Sequence, residues 1–114
     1  HFEAAVAKGS RWWRTHNGLG WALVLLRRYE DAVPHFETAI DVAPEERVPR
    51  HNLGWALANL GRFDEAAAQY REVLRLDPLH QGAVREYAWV LVELGRGDDA
   101  VSLARAAAQV NATP

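Results

Sequence analysis

The sequence predicts an all-α solenoid, a stack of helical hairpins that repeat along the chain. The pentapeptide LGWAL occurs at residues 19–23 and again at residues 53–57, a separation of 34 residues (53 minus 19). Leucines recur at spacings of four and three residues, which is the apolar stripe of an amphipathic helix. Glycine or proline follows most of these stripes, and both residues end helices. Short antiparallel helices are therefore expected throughout.

Comparison of the sequence with itself at an offset of 34 residues divides it into three units of one domain. These units are residues 13–46, 47–80 and 81–114. Residues 1–12 resemble the end of such a unit, because HFEAAV at residues 1–6 parallels HFETAI at residues 35–40. We interpret this segment as the end of a preceding repeat, with a partial helix near residues 2–8 and a connector.

Each unit is predicted to hold two helices, with the apolar stripe of the first packed on the second. In the first unit that stripe consists of Leu19, Leu23 and Leu26. The turn between the helices has Gly61 in the second unit and Gly95 in the third, whereas Arg27 stands there in the first, so that turn must close without glycine. We expect six helices in three antiparallel pairs between residues 13 and 110.

Smaller side chains fill the third unit. Ala104 stands where the earlier units have Phe36 and Tyr70, so this pair should be packed by less volume and should be the least stable. The last helix is apolar over a broad arc, whereas a terminal repeat normally has a polar outer face. We therefore expect self-association through the terminal helices; the apolar arc contains Val101, Leu103, Ala104, Ala107 and Ala108.

The order Leu-Gly, aromatic, Ala, aromatic, Ala, Pro within a 34-residue unit resembles that of the tetratricopeptide repeat family. The resemblance covers residues 13–114 and is fullest in LGWALANLGRFDEAAAQYREVLRLDP of the second unit. It implies a right-handed superhelix of helix pairs. It also implies that the first helices line a concave groove that receives extended peptides or partner helices.

Three tryptophans occupy corresponding positions on the first helices. At about 100° per residue, Trp21 lies roughly 200° from Leu19, on the opposite face. Stacked units would place Trp21, Trp55 and Trp89 in a ladder along the groove. The predicted partner-binding residues are Arg14, Asn17, Trp21, Leu25, His51, Trp55, Asn59, Arg85, Trp89 and Glu93. Alternatively, each tryptophan wedges between successive first helices, and the two roles can coexist in one indole.

The groove residues also indicate the chemistry of the ligand. Members of the resembling family that clamp a C-terminal carboxylate use lysine and asparagine on this face, whereas this chain has Asn17, His51 and three tryptophans there. Arg14 and Arg85 face Glu93, which leaves the groove near charge balance. An apolar or aromatic segment is therefore the expected ligand, rather than a strongly acidic one.

Composition argues against several classes of protein. The 13 basic and 15 acidic residues provide no global field for nucleic acid, and no apolar run is long enough to insert in a membrane. Cysteine is absent, and the five histidines lack the spacing of a zinc site. No catalytic arrangement, metal site or cofactor motif is predicted. The compartment stays open, with the cytoplasm slightly favoured.

The sequence therefore favours a non-enzymatic module that binds a protein or peptide partner in a tryptophan-lined groove. A structural segment that assembles through incomplete repeat ends is an alternative of a different class. An accessory interaction domain attached to a larger enzyme is a third.

Overall fold

A computed structural model of the chain describes the backbone of residues 2–112 and the side chains of residues 11–110. The described backbone contains six α-helices and no strand, which confirms the predicted all-α repeat fold. The helices are α1 Phe2–Leu25, α2 Tyr29–Val42, α3 Arg47–Asn59, α4 Phe63–Leu76, α5 Gln81–Glu93 and α6 Gly97–Ala112. They pack as three consecutive pairs, α1 with α2, α3 with α4 and α5 with α6.

The helices follow the 34-residue register. The second helices begin at Tyr29, Phe63 and Gly97, each 34 residues after the last, and α3 and α5 begin at Arg47 and Gln81. Acidic residues occupy the first turn of the second helix in each pair, where they interact favourably with the helix dipole. In all three pairs, an arginine just before the helix bonds to one of these carboxylates.

The N-terminal segment differs from its prediction. No connector separates a partial helix near residues 2–8 from the first repeat, because α1 runs unbroken from Phe2 to Leu25. Pro44 and Pro78 follow the second helices of the first two units, and the residue that corresponds to them in α1 is Ser10 (44 minus 34). Unlike proline, serine has the backbone N–H that is needed to continue a helix. The side chains of the HFEAAV segment, residues 1–6, lie outside the described side chains.

A large ring rests on a glycine in each of the first two pairs. The buried Phe36 of α2 lies against Gly20 of α1, and the buried Tyr70 of α4 lies against Gly54 of α3. A Cβ atom on Gly20 would meet the Phe36 ring at 2.5 Å. Glycine is therefore required at Gly20 for steric reasons, whereas at Gly54 the nearest ring atom would be 3.0 Å from an added Cβ, a tight contact.

Gly20→Ala is expected to lower the free energy of unfolding by about 1–3 kcal/mol, because the added methyl group overpacks the Phe36 ring. Gly18→Ala is the matched control in the same helix, since a Cβ there would have no neighbour within 4 Å. It should raise stability by up to about 1 kcal/mol through helix propensity. Urea denaturation of both variants checks the pair; equal effects would contradict the close approach.

Two leucines of the predicted stripe do not pack as expected. Leu19 is 47% exposed and Leu26 is 67% exposed, whereas the corresponding Leu53 is buried. Leu53 belongs to the core, and it lines one open pocket together with Pro34 and Ile40 of the preceding helix α2. In the described part of the chain no helix lies on that side of α1. Gly20, Leu23 and Val24 of α1 face α2 and the core instead.

The turn between α1 and α2 closes with Arg27 in the left-handed region, at φ 62°. Gly61 and Gly95 adopt φ 77° and 76° at the corresponding positions, where glycine has no steric penalty. Arg27→Gly should therefore raise the free energy of unfolding by about 0.5–1 kcal/mol. The reverse exchange, Gly61→Arg, should lower it by a similar amount. Thermal denaturation measures both, and a loss of stability in Arg27→Gly would contradict this reading.

The second helix of the third pair, α6, has the most exposed side chains of the three second helices. Ala100 is the only buried residue in the described part of α6, and Val101 and Val110 are exposed. Ala104, which stands at the position of Phe36 and Tyr70, is exposed as well. None of the described helices is long and apolar enough to span a membrane.

Candidate functional site

The first helices α1, α3 and α5 together form an open pocket of about 370 Å³. We call it the tryptophan pocket, and its lining residues are Trp21, His51, Asn52, Trp55, Arg85 and Glu86. Each of the three helices contributes at least one side chain. The helix-face prediction had named four of the six, and the structure brings those four to one pocket.

The three tryptophans of the predicted ladder have different surroundings. Trp21 is 42% exposed and Trp89 is 37% exposed, whereas Trp55 is half-buried and packs against the core. The Trp55 and Trp89 ring centroids are 6.0 Å apart, and Phe63 meets Trp89 edge-on at the same distance. Trp55 therefore packs on the next repeat, as the wedge interpretation predicts, and it also lines the pocket.

Two hydrogen bonds connect successive first helices at the tryptophan pocket. Asn52 Nδ2 donates to Asn17 Oδ1 at 3.0 Å, which joins α3 to α1. His51 Nε2 and Glu86 Oε2 are 2.7 Å apart, which joins α3 to α5. The partners in each bond are 35 residues apart in the sequence. These bonds fix the spacing of the helices that form the pocket.

Glu86 is also tied to the core by Tyr70, whose hydroxyl donates to Glu86 Oε1 at 3.2 Å. Burial, the negative charge of Glu86 and this hydrogen bond raise the pKa of Tyr70 well above its ordinary value of 10.0. The phenol must therefore stay neutral while the chain is folded. The Glu86 carboxylate, which lines the pocket, thus bonds to both His51 and Tyr70, and these bonds reduce its freedom to bind a cation.

Tyr70 makes folding sensitive to alkaline pH. Because the pKa of Tyr70 is raised in the folded chain, its contribution to the free energy of unfolding is intact below pH about 10. Above that pH the unfolded phenol ionises and the folded one does not, so the contribution is lost. Stability should fall by up to about 1.4 kcal/mol per pH unit there. Urea titrations between pH 9 and 11.5 should show this loss in the native chain and in Tyr87→Phe, but not in Tyr70→Phe. An unchanged slope in Tyr70→Phe would contradict the assignment.

The other predicted residues lie outside the lining. Trp89 contacts the pocket through Trp55, and Asn17 contacts it through Asn52. Asn59 bonds the backbone oxygen of Trp55 in its own helix, at 2.8 Å. Arg14 lies over the ring of Trp13, 5.7 Å from its centroid. Leu25 and Glu93 are exposed at the last residues of α1 and α5.

The sequence reasoning missed Asn52 and Glu86. Both stand directly before a large residue that corresponds to Leu19 of the stripe, Leu53 or Tyr87. A signal was present, because a polar residue beside a core position normally needs a partner. Pairing each with the residue 35 positions earlier, Asn17 or His51, would have identified the bonds.

The tryptophan pocket offers apolar surface beside a charged side chain. Two indoles provide apolar surface, and Arg85 is exposed and has no hydrogen bond or ion pair with any described residue. Within the described part of the chain, no three histidine or acidic side chains come together in a way that could hold a metal ion.

Solved structures similar to this chain are helical-repeat proteins. A MamA variant is 31% identical with a TM-score of 0.79, covering 85% of this chain and 71% of its own. YrrB, described as a tetratricopeptide repeat protein with an unusual peptide-binding site, is 26% identical with a TM-score of 0.81, covering 86% of this chain and 50% of its own. This chain spans between 58% and 63% of the length of five further MamA chains.

The second tetratricopeptide repeat domain of Spaghetti (RPAP3), bound to the HSP90 peptide SRMEEVD, matches in fold alone. Its TM-score is 0.85 at 16% identity, and the match covers 94% of this chain and 97% of that one. No curated protein sequence matches this chain. The family profile described as "Tetratricopeptide repeat" matches residues 1–47 and 51–113, nearly the whole sequence. The chain therefore belongs to the tetratricopeptide repeat family.

Proposed function

We propose that this chain is a non-enzymatic interaction module that binds a short peptide or helix of a partner protein in the tryptophan pocket. The observation that carries the proposal is the convergence of two indoles from successive repeats, Trp21 and Trp55, on one open pocket with Arg85 at its wall. Tryptophan and arginine dominate binding hot spots because they offer large rigid surfaces and directed donors. The peptide-bound domain and the peptide-binding YrrB are consistent with this use of the fold.

The ligand expected is an apolar or aromatic side chain beside a single hydrogen-bond acceptor. The side chain would pack between the two indoles, and the acceptor would meet the guanidinium of Arg85. Glu86 lines the same pocket and would repel an acidic run. The expected ligand is therefore an apolar or aromatic segment rather than a strongly acidic tail.

A peptide-library selection on the immobilised chain, followed by affinity measurements in solution, tests this proposal. Trp21→Ala and Trp55→Ala should each weaken the selected peptides by about tenfold or more, as the loss of central aromatic anchors does. Trp12→Ala is the matched control, because Trp12 is half exposed but lies outside the pocket. Equal losses in all three variants, or losses in none, would reject the tryptophan pocket as the site.

A further inference from the structure

The tryptophan ladder is closed at one step and open at the other. The rings of Trp55 and Trp89 are in contact, with their centroids 6.0 Å apart. Trp21 lines the same pocket as Trp55 but has no ring contact with any described residue. Helix α3 packs against both α1 and α5, so the open step lies between helices of the chain itself. The Trp21 and Trp55 indoles therefore border a space that can hold a small apolar ring.

Hydrogen-bond donors without partners line this space. Neither indole N–H, of Trp21 or of Trp55, bonds to a described residue. The N–H of the half-buried Trp55 must reach solvent, because every fully buried side-chain nitrogen or oxygen in the described part of the chain has a partner. Arg85 adds an exposed guanidinium that bonds to none of the described residues. The pocket can thus donate to a ligand from both indoles and from Arg85.

The acceptors of the pocket are largely occupied. Glu86 Oε1 accepts from the Tyr70 hydroxyl, and Glu86 Oε2 is bonded to His51 Nε2. Asn52 is only 9% exposed, and its amide donates to Asn17. A ligand that presents mainly acceptors therefore matches the pocket better than one that presents backbone N–H groups.

The backbone conformation of a peptide decides whether its carbonyl groups are available as acceptors. In a helix, the interior carbonyls already accept intrahelical bonds. An extended strand binds best where it can add to a sheet edge, and the described helices offer none. In a polyproline II segment the backbone has no internal hydrogen bonds, so every carbonyl is free. Proline also lacks the backbone N–H, and its ring fixes the conformation before binding.

We infer that the ligand of the tryptophan pocket is a proline-rich segment in the polyproline II conformation. One proline ring packs between the Trp21 and Trp55 indoles, and backbone carbonyls of the segment accept from the indole N–H groups and from Arg85. This inference rests on the proposed function and narrows its ligand to one conformational class.

Labelled decaproline is the probe, and fluorescence anisotropy should show it binding to the intact chain. Two peptides of the same length are the controls. Polysarcosine also lacks backbone N–H groups and keeps free carbonyls, but it has no ring and no fixed conformation. An alanine-rich helical peptide has its carbonyls bonded internally. Each control should bind about tenfold or more weakly than decaproline, because it loses the ring, the preformed backbone or the free acceptors.

Variants of the chain separate ring packing from hydrogen-bond donation. Trp21→Ala should weaken decaproline binding by about tenfold or more. Trp21→Phe keeps an aromatic ring without the N–H, and Arg85→Met keeps the apolar stem without the donors, so each should weaken binding about three- to fivefold. Trp12→Phe and Arg105→Met are the matched controls, since both residues are exposed outside the pocket, and each should change affinity less than about twofold. Circular dichroism melting should confirm that all variants remain folded.

Three results would overturn the inference. They are no binding of decaproline, equally tight binding of either control peptide, and equal effects of the pocket variants and their controls. If library-selected peptides depend on Trp21 and Trp55 but lack proline, or become helical on binding, the inference fails while the proposed function stands. If neither decaproline nor any selected peptide depends on the two tryptophans, the proposed function itself fails.

Discussion

Truncation of Phe36 to alanine should lower the free energy of unfolding by about 3–5 kcal/mol, one of the largest effects expected in this chain. The ring is fully buried between α1 and α2 and lies against Gly20. Because Gly20 has no side chain that could move into the space, the cavity should persist. The lost transfer free energy of the ring and the cost of the empty cavity then both lower the free energy of unfolding.

Trp12→Ala is the control for removal of a large aromatic side chain. Trp12 is half exposed, and among the described side chains His16 is the aromatic ring that it contacts. The variant should lose less than about 1 kcal/mol. Urea denaturation of the two variants decides the point. A loss in Phe36→Ala as small as that in Trp12→Ala would mean that the ring-on-glycine crossing does not hold the first pair together.

Leu57→Ala and Trp55→Ala should have opposite effects on folding and on binding. Leu57 is buried in the core, so its truncation should lower the free energy of unfolding by about 2–5 kcal/mol. Trp55, two residues away, is half-buried and open to the tryptophan pocket. Its truncation should lower stability less, while weakening a selected peptide by about tenfold or more.

Thermal melting and peptide affinity, measured on both variants under the same conditions, separate the two roles. Leu57→Ala should bind normally at temperatures where it is folded. If Trp55→Ala were as unstable as Leu57→Ala and bound peptide normally when folded, the tryptophans would serve only to pack successive repeats.

The repeat register was readable from the sequence because each unit carries its own start and stop signals. Glycine at positive φ and proline after a helix act locally, so Gly61, Pro44 and Pro78 place the turns without knowledge of the neighbours. Where these signals change, the prediction failed or was incomplete. Ser10 in place of proline lets α1 continue, and Arg27 closes its turn by adopting the strained conformation itself.

Packing between repeats was harder to predict from the sequence. Helical periodicity shows which face of a helix is apolar, but not whether another helix covers it, and so Leu19 and Leu26 are exposed although they match the buried stripe. For the candidate site, counting around the first helix identified Trp21, His51 and Arg85. It missed Asn52 and Glu86 because their bonds cross between repeats, at a distance set by helix packing rather than by helical periodicity.

The central claim is that the indoles of the tryptophan pocket contact the ligand. The indole N–H signals of the five tryptophans can be followed by two-dimensional NMR during titration with a selected peptide, after assignment by single Trp→Phe variants. We predict that the signals of Trp21 and Trp55 shift together and saturate at the measured affinity, while those of Trp12 and Trp13 stay in place. Shifts confined to Trp12 and Trp13, or peptide binding without a shift of Trp21 and Trp55, would contradict the account.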